Sequence, residues 1–333
     1  LSRAGVPVPR TYAVESLPDE AEPIESRFAL LVSDFAPADG WRQEWLLGGD
    51  ATRAALGALA KLHAYFWHGS AFWRRGGAAA AELVRAVWAS GGYVQPYGGM
   101  QPREQIIDLA SLWERNRQRL GADFADMPEL AGVDVGAIGA RLQEVADAVA
   151  AEAHPFGAGG ECAERAGRYR TLVHGDPKHA NVFIRDGAGG ALEAGLIDFQ
   201  WCGFGLAATD VAHHLAAAPR ADVLRDGGEA ALLDHYHAEL CRALGEFGAA
   251  GSAAEAARLF PRTTLQTQFE AATLDMCRIV FAYQWSRFTR AAPGDPAKKN
   301  NNAYNKCVDS AAALVARCDA LLRARSAARR AAS

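Results

Sequence analysis

The residues with chemistry to offer crowd into one stretch, 171–210, which reads TLVHGDPKHANVFIRDGAGGALEAGLIDFQWCGFGLAATD. Asp176, Asn181 and Asp198 carry oxygen donors, and Lys178 brings a cation two residues after Asp176. One reaction that needs this set is phosphoryl transfer. A carboxylate orients a hydroxyl and accepts its proton, while hard oxygen ligands hold magnesium against nucleotide phosphates. Asp176 suits the first task. Asn181 and Asp198 suit the second, because a neutral amide and a carboxylate are common partners of a partly hydrated magnesium ion. Lys178 would set a positive charge on the transferring group; its plainer reading is a solvated loop lysine.

Such side chains work only if elements aim them at one point. The apolar pair Leu172-Val173 precedes a polar loop, 174–181, and Val182-Phe183-Ile184 follows it. A glycine turn then leads to a third run, 194–197, that ends on Asp198. Short β-rich runs broken by glycine and polar residues predict small strands joined by loops, with the three oxygen-bearing residues at strand ends or in the loop.

The order D-x-K-x-x-N, then an apolar strand ending in Asp, follows the kinase catalytic-loop pattern. HGDPKHANVFI with LIDFQWCGFGLAATD resembles the aminoglycoside phosphotransferase and choline kinase-like families, most closely the ecdysteroid-kinase-like branch, where a Gln follows the Asp-Phe pair. A looser similarity covers 29–67, where ALLVSDFAP resembles the family's linker strand and LGALAKLHAYFW its first long helix. The resemblance implies an α+β, protein-kinase-like fold, with an incomplete small β lobe and hinge over 1–49 and a large, mostly helical catalytic lobe over 50–333. It implies that Asp176 is the catalytic Asp, that Asn181 and Asp198 bind Mg2+, and that Asp210 braces the loop. The backbone at Asp34 and Phe35 becomes the hinge that pairs with the adenine of ATP. His174 reads as holding the loop by hydrogen bonds, and Gln200 and Trp201 as packing residues.

At 333 residues and 50% hydrophobic, the chain has material for a large core and about two domains. A net charge of −4 gives no footprint for nucleic acid. No apolar run approaches the roughly 18 residues of a membrane helix, and the first residues lack a signal-peptide pattern. The six cysteines are scattered without a C-x-x-C pair, so they read as reduced thiols, Cys202 as a small buried hydrophobe. The expectation is a soluble, cytoplasmic protein with a small hydroxylated substrate and no nucleic-acid or membrane partner.

Helical spacing of Leu56, Leu59, Leu62 and Phe66 predicts a helix capped by Asp50, with His63 bonded inside it. Further helices are predicted over 103–120, 138–153, 228–244, 253–258, 265–290 and 308–325, with an alanine-rich helix after Asp210 and an exposed loop at 291–302. By resemblance the acceptor pocket draws on Trp201, Phe204, Glu270, Asp275, Tyr283 and Trp285. Aromatics with carboxylates would suit an amino alcohol or aminoglycoside, and the branch allows a sterol-like alcohol. Phe269, Phe281 and Trp285 at helical spacing also read as ordinary core.

No G-x-G-x-x-G loop precedes the hinge, and no lysine precedes Lys61. The kinase template needs a lysine on the α- and β-phosphates, so the natural gene is expected to continue upstream of Leu1 with a glycine-rich turn, a strand lysine and a helix glutamate. Two competing readings stand beside the enzyme. One is an inactive kinase-like binding or regulatory protein. The other is a metal hydrolase using His174, Asp176, His179, Asp198, His213 and His214, which is disfavoured because adjacent helix residues point about 100° apart.

Overall fold

The computed structural model describes residues 2–18, 22, 25–93, 95–97 and 108–332. Strands β1 (Thr11–Leu17) and β2 (Arg27–Val32) pair antiparallel, and every residue of the two strands is exposed, including Val14, Phe28 and Leu31. The remaining strands frame the 171–210 stretch: β3 (Arg170–Val173), β4 (Val182–Asp186), β5 (Leu192–Leu196) and β6 (Gly203–Leu206). They pair as two antiparallel ribbons, β3 with β6 and β4 with β5. Arg42 extends the second ribbon by exchanging both backbone hydrogen bonds with Ile184.

The frame around the strands is helical. Its main members are α1 (Gly49–Tyr65), α2 (Leu109–Phe124), α3 (Ala146–Ala153), α4 (Ala207–Ala217), α5 (Gly228–Glu246), α6 (Arg262–Ala282) and α7 (Val308–Ala332). The chain is thus mixed α+β, a small strand portion followed by a large helical lobe. Two apolar clusters hold it. One joins α1 and α5 to the strand ribbons, and the other joins α2, α6 and α7. From Ala271 to its end every residue of α6 is buried, as befits a helix that is surrounded rather than amphipathic.

Several boundaries differ from expectation. Gly48, not Asp50, caps α1; Asp50 sits inside the first turn and accepts from Arg53 at 3.2 Å. The 138–153 helix is two pieces, Ile138–Gln143 and α3. Helix α6 stops at Ala282, short of residue 290, because the chain tightens to a 3₁₀ turn that seats Trp285 in the core, where its Nε1 donates to Tyr304 O at 2.9 Å. Strand β6, with the sequence GFGL, is not among the expected elements. Its Gly203 lies so close to Gly91 that neither position has room for a Cβ. Part of the 103–120 expectation, residues 103–107, lies outside the described residues.

Candidate active site

The loop between β3 and β4 is held from below by one carboxylate. Asp210, in the first turn of α4, accepts the backbone N–H of His174 at 2.6 Å and of Gly175 at 2.9 Å. It also accepts from His63 Nε2 at 3.0 Å, and His63 Nδ1 meets Tyr236 Oη at 2.7 Å. A carboxylate can only accept, so the His63 proton sits on Nε2 and Tyr236 donates to Nδ1. Burial alone would raise the Asp210 carboxyl, but the hydrogen bonds it accepts, from His63 first and then from the Gly175 amide, hold it below the ordinary carboxylate value. Asp210 therefore braces the loop, and His63 fills its expected bonding role.

Gly175 lets the loop turn. Its φ is +89°, and a Cβ there would overlap the Trp201 carbonyl and stand 2.7 Å from Trp201 Cβ. His174 supports the next residue: its Nε2 meets Ile197 O at 2.8 Å, and its Nδ1 accepts from Asp176 N at 3.3 Å.

Asp176 emerges from this brace nearly buried, 3% exposed. Lys178 Nζ donates to Oδ2 at 2.7 Å. His213 Nε2 stands 3.3 Å from Oδ1 but off the hydrogen-bonding direction, and it has no hydrogen-bond partner among the described residues. Burial keeps His213 neutral by lowering its basicity, against the pull of Asp176 and Asp210. Asn181 closes the loop: its Nδ2 donates to Asp176 O at 2.8 Å, so its Oδ1 faces away from that bond and takes no hydrogen bond from the described residues.

The β4–β5 ribbon brings Asp198 alongside. Val182 pairs with Leu196, and one step further Ile197 N donates to Asn181 O at 3.1 Å. Asp198 follows directly, exposed, with no side-chain hydrogen bond or ion pair among the described residues. Its φ of +65° is unusual for a residue with a Cβ, and such strain concentrates at functional positions. An uncommitted amide oxygen and an uncommitted carboxylate at adjoining strand ends are the donor set that a hard, partly hydrated cation takes.

The other expected residues divide. Phe35 is core: its ring lies 4.5 Å from Trp41 and 5.0 Å from Phe183, and it covers Gly195. The backbone N–H and C=O of Asp34 and Phe35 take no backbone hydrogen bond among the described residues. Trp201 stacks on Trp88 at 5.8 Å beside the loop, as a packing residue should. Of the expected pocket lining, Phe204, Asp275 and Trp285 are buried. Asp275 is spent on Arg278 at 2.8 Å and His154 at 3.0 Å, while Trp285 packs against Trp113, Phe124 and Phe281. Glu270 accepts from Gln266 at 2.8 Å, and Tyr283 lies under Arg287.

The histidines of the hydrolase reading diverge. His214 Nδ1 donates to Pro177 O at 2.7 Å, and His179 lies between Ala217 O and Lys299 O. Among the described residues no three His, Cys, Asp or Glu side chains converge as metal ligands. Sequence reasoning had no role for His213 beside Asp176 as its neighbour, nor for Lys306. Lys306 is 1% exposed, with Nζ 2.8 Å from His179 Nε2, 3.0 Å from Trp45 O and 3.8 Å from the Trp45 ring centre. No local signal marks either residue, since both act across long stretches of chain.

A family model described as the Ecdysteroid kinase-like family matches residues 41–249, more than half of the chain. No curated protein matches. Among solved structures, the microcompartment-associated aminopropanol kinase is similar at 14% identity and a TM-score of 0.33, over 85% of this chain and 74% of that one.

Proposed function

Since the chain belongs to the Ecdysteroid kinase-like family, we propose that it transfers a phosphoryl group from ATP to a hydroxyl of a small molecule, with magnesium. The observation that carries this reading is the Asp176–Asn181 loop, where a buried carboxylate, a lysine and an oriented amide are locked together. Asp176 accepts the proton of the acceptor hydroxyl as its oxygen bonds to the terminal phosphorus and the bond to the departing diphosphate breaks. Lys178 pairs with Oδ2 and would offer its positive charge to the transferring group. His213 Nε2 stands 3.3 Å from Oδ1 as its buried neighbour.

Asn181 Oδ1 and the Asp198 carboxylate are the residues that would hold magnesium. Bound ATP with its magnesium supplies the electrophilic phosphorus and offsets the charge that develops on it. The free backbone groups of Asp34 and Phe35 would meet the adenine edge. On this reading residues 1–49 belong to the nucleotide-binding side and 50–333 to the catalytic side.

The test is ATP consumption by the full-length gene product, with and without magnesium, across amino alcohols, aminoglycosides and sterol-like alcohols. Magnesium-dependent turnover with one acceptor class, lost in Asp198→Ala while the fold persists, is the expected result. Full turnover in Asp198→Ala would sink the assignment. ATP binding with no turnover on any acceptor would favour the inactive, regulatory reading.

A further inference from the structure

Helix α4 has two working faces. His213 and His214 turn to the catalytic loop, whereas Ala212, Leu215 and Ala216 turn the other way and wall a recess of about 420 Å3. The far walls are α6, through Phe269 and Thr273, and α7, through Ser310, Leu314 and Arg317. A recess of this size is in the range of small-molecule sites.

Four of its polar atoms are unsatisfied among the described residues. Thr273 Oγ1, Ser310 Oγ, Arg317 Nε and Glu129 Oε2 are all buried without a hydrogen-bond partner among the described residues, and Thr273 and Ser310 are only 4% and 8% exposed. The Thr273 hydroxyl contrasts with Thr267 in the same helix, which bonds back to Thr263 O at 3.1 Å in the ordinary way. A buried hydroxyl that forgoes this bond is costly unless something else completes it. The charges in the recess cancel, because Arg225 pairs with Glu129 and Arg317 pairs with Glu229 at 2.7 Å.

We propose that this recess binds a neutral, mostly apolar small molecule bearing a hydroxyl. Leu215, Phe269 and Leu314 cover the apolar body. The hydroxyl oxygen accepts from Thr273 Oγ1 and its O–H donates to Glu129 Oε2, so one alcohol group can use both kinds of orphan. Anions and cations are disfavoured, since each guanidinium already has its carboxylate. The bound alcohol is not a phosphate acceptor, because α4 stands between it and Asp176. The site thus does not depend on the reading of the catalytic loop.

The experiment is calorimetric titration of the intact protein with 1-octanol, octanoate and octylamine. Saturable 1:1 binding of octanol is expected, with octanoate and octylamine at least tenfold weaker. Ala313→Phe, which fills the recess from α7, should abolish it. Thr273→Val keeps the shape and removes the hydroxyl, and should weaken octanol about five- to tenfold, while raising the melting temperature of the free protein. No saturable binding by the native protein, meaning water alone fills the recess, overturns the proposal. So does octanol affinity unchanged in Thr273→Val, or octanoate binding as tightly as octanol. Thr273→Val separates these outcomes even if Ala313→Phe fails to fold.

Discussion

His63 and Asp210 are 147 residues apart in sequence and 3.0 Å apart in the fold, both fully enclosed. Their contact ties α1 to the start of α4, and the same carboxylate carries the two amides that open the Asp176 loop. Replacing Asp210 with Ala would strand three buried donors at once. The expected loss is roughly 3–5 kcal/mol, the usual result of removing one partner of a buried pair. Urea unfolding reads it directly; a change under about 1 kcal/mol would show that the brace is dispensable.

Gly175 should tolerate no side chain. Both its φ of +89° and the nearness of Trp201 oppose a Cβ, whereas Gly132, at φ +76°, has open space around it. Gly132→Ala should cost about 1 kcal/mol, from backbone strain alone, and Gly175→Ala at least twice that. Turnover should fall only in Gly175→Ala, since only that loop carries Asp176. Equal melting temperatures for the two variants would contradict the close approach to Trp201.

Stability should drop in mild acid. Burial, aided by the Lys306 charge at His179, lowers the basicity of His179 and His214, each to about 4. The unfolded chain protonates histidine near 6.5. Between about 6.5 and about 4 the unfolded state therefore binds more protons, and stability falls as pH falls, by up to ~1.4 kcal/mol per pH unit for each ring. Asp210 adds its loss only below the ordinary carboxylate range, because its folded-state value is depressed. Urea midpoints at pH 7.5 and pH 5 test the slope, which His214→Gln should flatten; its amide can still donate to Pro177 O.

The cysteines should react in two classes. All six are free thiols; Cys202, Cys241, Cys277 and Cys318 are buried, and Cys162 and Cys307 are partly exposed. Burial pushes the Cys202 thiol up to about 12 and Cys241 to about 11, so neither offers a thiolate at neutral pH. Iodoacetamide should label Cys162 and Cys307 in the native protein and the other four only in denaturant. Peptide mass spectrometry resolves this, and native labelling of Cys202 would refute its core placement.

The sequence by itself determined what short spacing can encode. D-x-K-x-x-N bends one loop so that Lys178 and Asn181 return to Asp176, and the apolar runs around it became β3, β4 and β5 because β-rich runs between glycine turns have few alternatives. The apolar stripe Leu56, Leu59, Leu62 fixed the buried face of α1 in the same local way. Where tertiary contact competes with local pattern, the sequence was silent. Helical spacing marked Trp285 as apolar but could not say whether it lined a pocket; the structure seats it in the core against Trp113, Phe124 and Phe281. His213 and His214 were neighbours without distinguishable tasks until α4 docked against the loop and gave one to Asp176 and the other to Pro177. Burial, partner and basicity all depend on what a residue meets from distant parts of the chain, and no spacing along the chain specifies that meeting.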